Sequence, residues 1–159
     1  MVFLKGLLTN RVLIAGLTAW LIAQIAKAVI AWITDKKFSP ERLIGDGGMP
    51  SCHSALVTAV AVMSGYVCGV DSPVFALALM VAFIVMHAAM GVRRETGKQA
   101  VVIQDIVNLI NDMFQEKDRA IRNEKLKILV GHSPVQVVFG CLIGALVALA
   151  HILLLRAVP

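Results

Sequence analysis

Four stretches of this chain are long and apolar enough to cross a bilayer: Val12 to Ile33, His53 to Val70, Pro73 to Gly91 and Pro134 to Leu155. A hydrocarbon core is about 30 Å thick and a helix rises about 1.5 Å per residue, so each stretch suits one crossing. Nothing else in the sequence restricts the fold as strongly. In lipid every backbone amide must be paired within the protein, which leaves helices for segments of this length. Of the 159 residues, 58% are hydrophobic and 16% charged, where a soluble domain carries roughly 45–50% and about 25%. That excess excludes a water-soluble enzyme, a nucleic-acid reader or a disordered tail as the reason for the net charge of +5. No nucleic-acid partner is expected. The basic balance speaks instead to lipid headgroups, to orientation or to an anionic substrate.

The expected fold class is all-α: a polytopic membrane protein of about four transmembrane helices, over about 12–33, 53–70, 73–91 and 134–155, in a single membrane-embedded domain spanning 1–159. The first span is too long for the apolar region of a signal peptide and contains Gln24 and Lys27, so it is read as retained. Only Asp71 and Ser72 separate the second and third spans, between Gly69 and Pro73, which predicts a tight hairpin. The two longer connections then share the opposite face. In the second of them, Val102, Ile103, Ile106, Leu109, Ile110, Met113 and Phe114 recur at helical spacing, with Gln104, Asp105, Asn108 and Asn111 on the other side. This predicts an amphipathic helix from Gln99 to Phe114, followed by a charged helical continuation to Lys127. Lysines and arginines number eleven on the face of the long connections and three on the other, counted without Lys27. The long connections are therefore expected in the cytoplasm, with the protein in the plasma (inner) membrane.

The polar residues that stand out fall at that same face. Lys27 lies inside a span, with Gln24 and Thr34 on about the same side of the helix, a stripe read as pointing inward; the other reading is a lysine that snorkels to the interface. The glycine-rich turn from Gly45 to Gly48 runs through Pro50, Ser51 and Cys52 to His53. A helix start of this kind suits a phosphate, and equally suits a plain cap with Ser51 as the capping residue. Arg93, Arg94 and Lys98 close the third span, either as a phosphate cradle or as a positive stop at the headgroups. His132, with Ser133 and Pro134, opens the fourth span, and Gln136 lies one turn on, where it can hold the imidazole. His87 is read as a packed histidine. The cysteines, Cys52, Cys68 and Cys141, are odd in number and lack metal-ligand spacing, so neither a disulfide framework nor a zinc site is expected.

Pro50-Ser51-Cys52-His53-Ser54-Ala55 resembles the Pro-Ser-Gly-His motif of the type 2 phosphatidic acid phosphatase superfamily, and His132-Ser133-Pro134-Val135-Gln136 resembles its His-x-x-x-Asp motif. With Gly91-Val92-Arg93-Arg94 and Gly97-Lys98-Gln99-Ala100 between them, the set is most similar to the divergent branch of that superfamily, small membrane proteins related to acid phosphatases and vanadium haloperoxidases. The resemblance implies a lipid phosphate or diphosphate phosphatase that forms a phosphohistidine and uses no metal and no cofactor. It implies His132 as nucleophile, His53 as general acid, and Lys27, Arg42, Ser51, Arg93 and Arg94 around the phosphate of a phospholipid or isoprenoid phosphate. Three departures are plain: Cys52 stands for the motif glycine, Gln136 for the aspartate that charges the nucleophile, and Arg94 lies 38 residues before His132 rather than a few. Glu95 is the carboxylate considered as a substitute for that aspartate.

Two readings from other classes stay open. One is a lipid-phosphate binding or transport protein whose phosphatase site has degenerated through Gln136. The other is a structural membrane protein that forms a homo-oligomer through Gly140, Gly144 and Ala148, spaced at four. A thiol phosphatase using Cys52 is weaker, because Thr58 occupies the place of the arginine such chemistry needs. Metal-dependent chemistry is weak too, since Asp46, Glu95 and Asp105 are scattered.

Overall fold

The computed structural model describes residues 2–35, 48–114 and 132–157, with backbone alone at 35, 92–94, 111, 112 and 114. Every regular element among them is a helix, in the order α1 Val2–Thr9, α2 Arg11–Asp35, α3 Cys52–Cys68, α4 Pro73–Met90, α5 Val92–Phe114 and α6 Pro134–Ala157. The protein is an all-α membrane protein. Three helical runs, beginning at Arg11, Pro73 and Pro134, are long and apolar enough to cross a bilayer, and α3 is a shorter apolar helix. With 17 residues, α3 rises about 25 Å, near the lower limit for a crossing. The sequence reading has no counterpart of α1, whose residues are exposed from end to end. Asn10 separates it from α2, its side-chain oxygen accepting from the amides of Val12 and Leu13 at 3.1 Å each.

Packing is by small residues. α3 lies at the centre, against α2, α4 and α6, and α2 also touches α6. On α2 the inward stripe is Ala15, Ala19 and Ala23, one turn apart and all buried, and Ala19 and Ala23 meet Ala55 and Ala59 of α3 and Ala148 of α6 in one buried cluster. The large apolar side chains point the other way: Leu17 and Ile25 of α2, Leu77 and Phe83 of α4, and Leu142 and Leu146 of α6 are all more than half exposed. A soluble bundle buries its leucines; in lipid they face the solvent, and close backbone approach through small residues supplies the van der Waals contact that joins the helices.

The closest approach is between α3 and α6. A Cβ added at Gly140 would run into the Ser51 carbonyl oxygen and stand 2.9 Å from Ser54 Cβ; one at Gly144 would run into the Ala55 carbonyl oxygen and stand 2.9 Å from Thr58 Cβ. The stripe of Gly140, Gly144 and Ala148 is thus consumed inside the chain. It is not a face offered to a second copy, which corrects the oligomer reading of these residues.

The expected hairpin is present. Gly69 ends α3 with φ of 90°, a conformation open to glycine because it has no Cβ to clash. Its carbonyl accepts from the Ser72 hydroxyl at 2.7 Å, while the same hydroxyl accepts from the Phe75 amide at 3.2 Å to cap α4, whose first residue is Pro73. At the other end of α4, the Gly91 amide donates to His87 O at 2.9 Å and the Glu95 amide to Gly91 O at 3.1 Å. Helical hydrogen bonding therefore carries through Gly91, and the amphipathic helix starts at Val92 rather than Gln99. Its expected charged continuation, from Gln115 to Lys127, lies outside the described residues.

Candidate functional site

Three helix ends are stitched together at one end of the bundle. The Ser51 amide, just before α3, donates to Gln136 O in the first turn of α6 at 3.0 Å, and the His132 amide donates to Ala89 O near the end of α4 at 3.1 Å. These bonds satisfy backbone groups that helix termini leave over, and they fix where the side chains of the two histidine segments emerge.

Ser51 is the N-cap of α3. Its hydroxyl oxygen accepts from the Ser54 amide at 3.3 Å and is 3.0 Å from the Ser54 hydroxyl, and both side chains are fully buried. The capping reading of this turn therefore holds in the local geometry, and the first-turn amides of α3 are set at a positive dipole end that favours an anion. Cys52 and His53 occupy that first turn, Cys52 buried and His53 half-buried.

The start of α6 carries a second device. The Gln136 amide donates to the Ser133 hydroxyl at 3.4 Å, and the Ser133 amide donates to Gln136 Oε1 at 3.0 Å, the reciprocal pair of a capping box. The same Oε1 lies 3.1 Å from His132 Nδ1. A backbone amide can only donate, so the Gln136 atom facing it is the carbonyl oxygen, which can only accept. A hydrogen then sits on Nδ1, and when the ring is neutral its lone pair is on Nε2. His132 itself is 2% exposed.

Lys27 reaches this end from α2, continuing the alanine stripe by one more turn. It is 4% exposed, with Nζ 3.7 Å from Cys52 Sγ, so its side chain turns inward rather than snorkelling. Cys52 Sγ is in turn 3.8 Å from His53 Nδ1. Gly48 lies against the stem of Lys27, where a Cβ would stand 3.4 Å from Cγ. Gln24 is buried beside it, but Thr34 is exposed and donates to Ile30 O at 2.8 Å, so the expected inward stripe ends at Lys27. Seven residues cover almost two turns, and the helix has left the packed bundle by then. The rings of His53 and His132 stand with centroids 6.4 Å apart at 57°.

Lys27, Ser51, His53, His132 and Gln136 are thus brought together. Glu95 is not: its carboxylate accepts from Lys98 Nζ at 2.6 Å in a pair whose side chains are 61% and 62% exposed. His87 is exposed and stacked on Phe83 of the same helix, with centroids 6.0 Å apart, so it lies on the outer face of the bundle rather than packed inside it as expected. Arg93 and Arg94 lie in the first turn of α5, four and five residues beyond the Ala89 whose carbonyl holds His132. Arg42 lies outside the described residues. At the other end, His151 Nδ1 bonds Val147 O at 3.0 Å and Arg156 covers Tyr66 at 5.8 Å, local contacts that account for these two residues. Two features escaped the sequence reading. The capping box was legible as Ser-x-x-Gln ahead of an apolar run; the contact of Cys52 with both Lys27 and His53 was not, because it joins two helices.

A sequence model described as the divergent PAP2 family matches residues 8–147. The chain is also 40% identical, over 149 residues, to the uncharacterized membrane protein YuiD of Bacillus subtilis (strain 168), covering 90% of this chain and 94% of that one. No solved structure matches the chain. The matched span takes in both histidine segments and α6 as far as Val147, so by sequence and by the elements that bear its motifs the chain belongs to the divergent PAP2 family.

Proposed function

We propose that the protein is a lipid phosphate or diphosphate phosphatase that works through a phosphohistidine and without a metal. The observation that carries this is the meeting of His53 and His132, 6.4 Å apart, at the starts of two helices and beside the buried Lys27. In this reading His132 Nε2 attacks phosphorus; the N–P bond forms as the P–O bond to the lipid breaks, and His53 delivers its proton to the departing oxygen. Water then attacks the phosphohistidine, giving a proton to His53, and phosphate leaves with both rings restored. Phosphoryl transfer asks mainly for positioning and for charge on the equatorial oxygens. Lys27, Arg93, Arg94 and Arg42 supply charge, and Ser51 acts through the cap that holds the α3 N-terminus. Gln136, rather than the exposed Glu95, orients the nucleophile. The whole chain acts as one membrane-embedded unit, in the plasma membrane, with this site toward the cytoplasm.

The test is phosphate release by the purified protein in vesicles, across a panel of phospholipid and isoprenoid phosphates. His132→Ala is expected to abolish the acid-labile phosphoenzyme while lipid-phosphate binding persists. His53→Ala slows its formation most for poor leaving groups and least for an activated aryl phosphate, which needs no proton. Turnover by a His132→Ala protein at the parent rate would overturn the mechanism. Activity is expected to survive EDTA and to be blocked by vanadate, which adopts the geometry of the transferring phosphoryl group; loss in EDTA with recovery in magnesium would point to a metal instead.

The second reading is a lipid-phosphate binder or transporter, and the specific observation favouring it is Gln136. An amide fixes the ring but does not stabilise an imidazolium as a carboxylate does. Saturable lipid-phosphate binding with no phosphate release across the panel would select it.

A further inference from the structure

We infer that α5 lies along the bilayer surface, its apolar face sunk into the headgroup and upper acyl layer of the leaflet at which α4 ends. Val102, Ile103, Ile106, Leu109 and Met113 are each half or more exposed, and all fall on one side of the helix. Asp105 and Asn108 lie opposite, the latter accepting from Gln104 Nε2 at 3.3 Å. Among the described residues the only element that α5 touches is α4.

What covers the face follows from where the helix begins. α4 is an apolar helix of 18 residues, so its C-terminal end stands close to one edge of a hydrocarbon core of about 30 Å. α5 follows after Gly91 alone, whose φ of −95° and ψ of −88° leave the α-helical region and allow the axis of α5 to turn away from that of α4. The lipid–water boundary is therefore within reach of α5 at no cost in association entropy, which a second copy would have to meet. The width of the face agrees. The apolar residues from Val102 to Met113 cover about half the helix circumference, wider than the two-position seam by which helices zip together and suited to half-immersion. Strong amphipathicity with little net hydrophobicity is the signature of a helix that lies in an interface rather than spanning it. The charge order fits as well, with Arg93, Arg94 and Lys98 in the first two turns, at headgroup depth, and Asp105 on the side turned to water. This placement is independent of whether the site turns over a phosphate.

The test uses the full chain in phosphatidylcholine vesicles carrying lipids brominated in the upper acyl chain. Trp20→Phe and Trp32→Phe remove the native indoles, and single reporters are introduced as Ile106→Trp on the apolar side, Asn108→Trp on the polar side, and Leu109→Trp as a second apolar probe. Quenching at positions 106 and 109 is expected to exceed that at 108 by about twofold or more, and to be unchanged when protein is diluted in lipid. Acrylamide in the water phase should give the reverse order. Equal, weak bromine quenching at all three positions would overturn the inference. So would apolar-side probes that are shielded from both quenchers and lose that shielding on dilution, the mark of a second copy on the face.

Discussion

Gln136 does two jobs with one oxygen. It closes the capping box by accepting from the Ser133 amide at 3.0 Å, and it holds His132 Nδ1 at 3.1 Å. A replacement must therefore satisfy a helix cap as well as a histidine. Aspartate, the residue of the related superfamily motif, is shorter by a methylene and reaches the cap less well, whereas glutamate keeps both the length and the Ser-x-x-Glu box. Gln136→Glu is expected to retain stability and to raise the rate of phosphoenzyme formation about fivefold, because an ionic hydrogen bond to the ring exceeds a neutral one by roughly 1 kcal/mol. The carboxylate also favours the charged ring, and His132 must be neutral to attack, so the optimum moves to higher pH. The parent profile should be bell-shaped: His132 is blocked by protonation at low pH, and His53 has no proton to give at high pH. An unchanged rate and profile for Gln136→Glu, measured by phosphate release across pH, would mean that this contact does not govern the nucleophile.

Among the elements, the α3–α6 contact has the least tolerance. Gly144 faces the Ala55 carbonyl oxygen and Thr58 Cβ across the interface, and these are backbone and β-carbon atoms that cannot swing aside. Gly144→Val is expected to force the two helices apart and to destabilise the fold by about 1–3 kcal/mol, as overpacking of a filled interior does. Gly6 of α1 has nothing within 4 Å of an added Cβ, so Gly6→Val is the neutral control. Unfolding in mixed micelles compares the two. Equal midpoints, with a changed oligomeric state for Gly144→Val alone, would restore the reading of this stripe as a contact between copies. Because α3 and α6 each carry one of the paired histidines at their starts, the same substitution is also expected to reduce activity in the molecules that remain folded.

For the whole molecule, the placement of small residues inside and large apolar residues outside makes lipid the solvent, and the cation bias proposes which face the site takes. Cys52 is 2% exposed and cannot report on sidedness, so reporters belong at exposed positions: Asp71→Cys in the hairpin and Lys98→Cys in α5. With the native exposed thiol removed by Cys68→Ser, an impermeant maleimide on intact cells is expected to label Asp71→Cys and to label Lys98→Cys only after permeabilisation. The reverse pattern would turn the site to the outside of the cell.

By itself the sequence determined the four apolar helices and the hairpin, because length, hydropathy and the Gly69, Ser72 and Pro73 signals act locally and lipid admits no alternative to internal backbone pairing. α1, which is short, and the first turns of α5, which are polar, did not stand out. It also marked Lys27, Ser51, His53, His132 and Gln136, since motif spacing and helix-start chemistry are written along the chain. Only the tertiary structure decided which of the marked residues meet. Thr34 and Glu95 looked as well placed as Lys27 and Gln136, yet one lies where α2 has left the bundle and the other in an exposed pair with Lys98. The Gly140 and Gly144 stripe likewise read as a contact between copies until α3 filled it. The reason is common to all three: helical periodicity specifies the side of the helix on which a residue lies, whereas its partner depends on how neighbouring helices pack, and that depends on side chains far away in the chain.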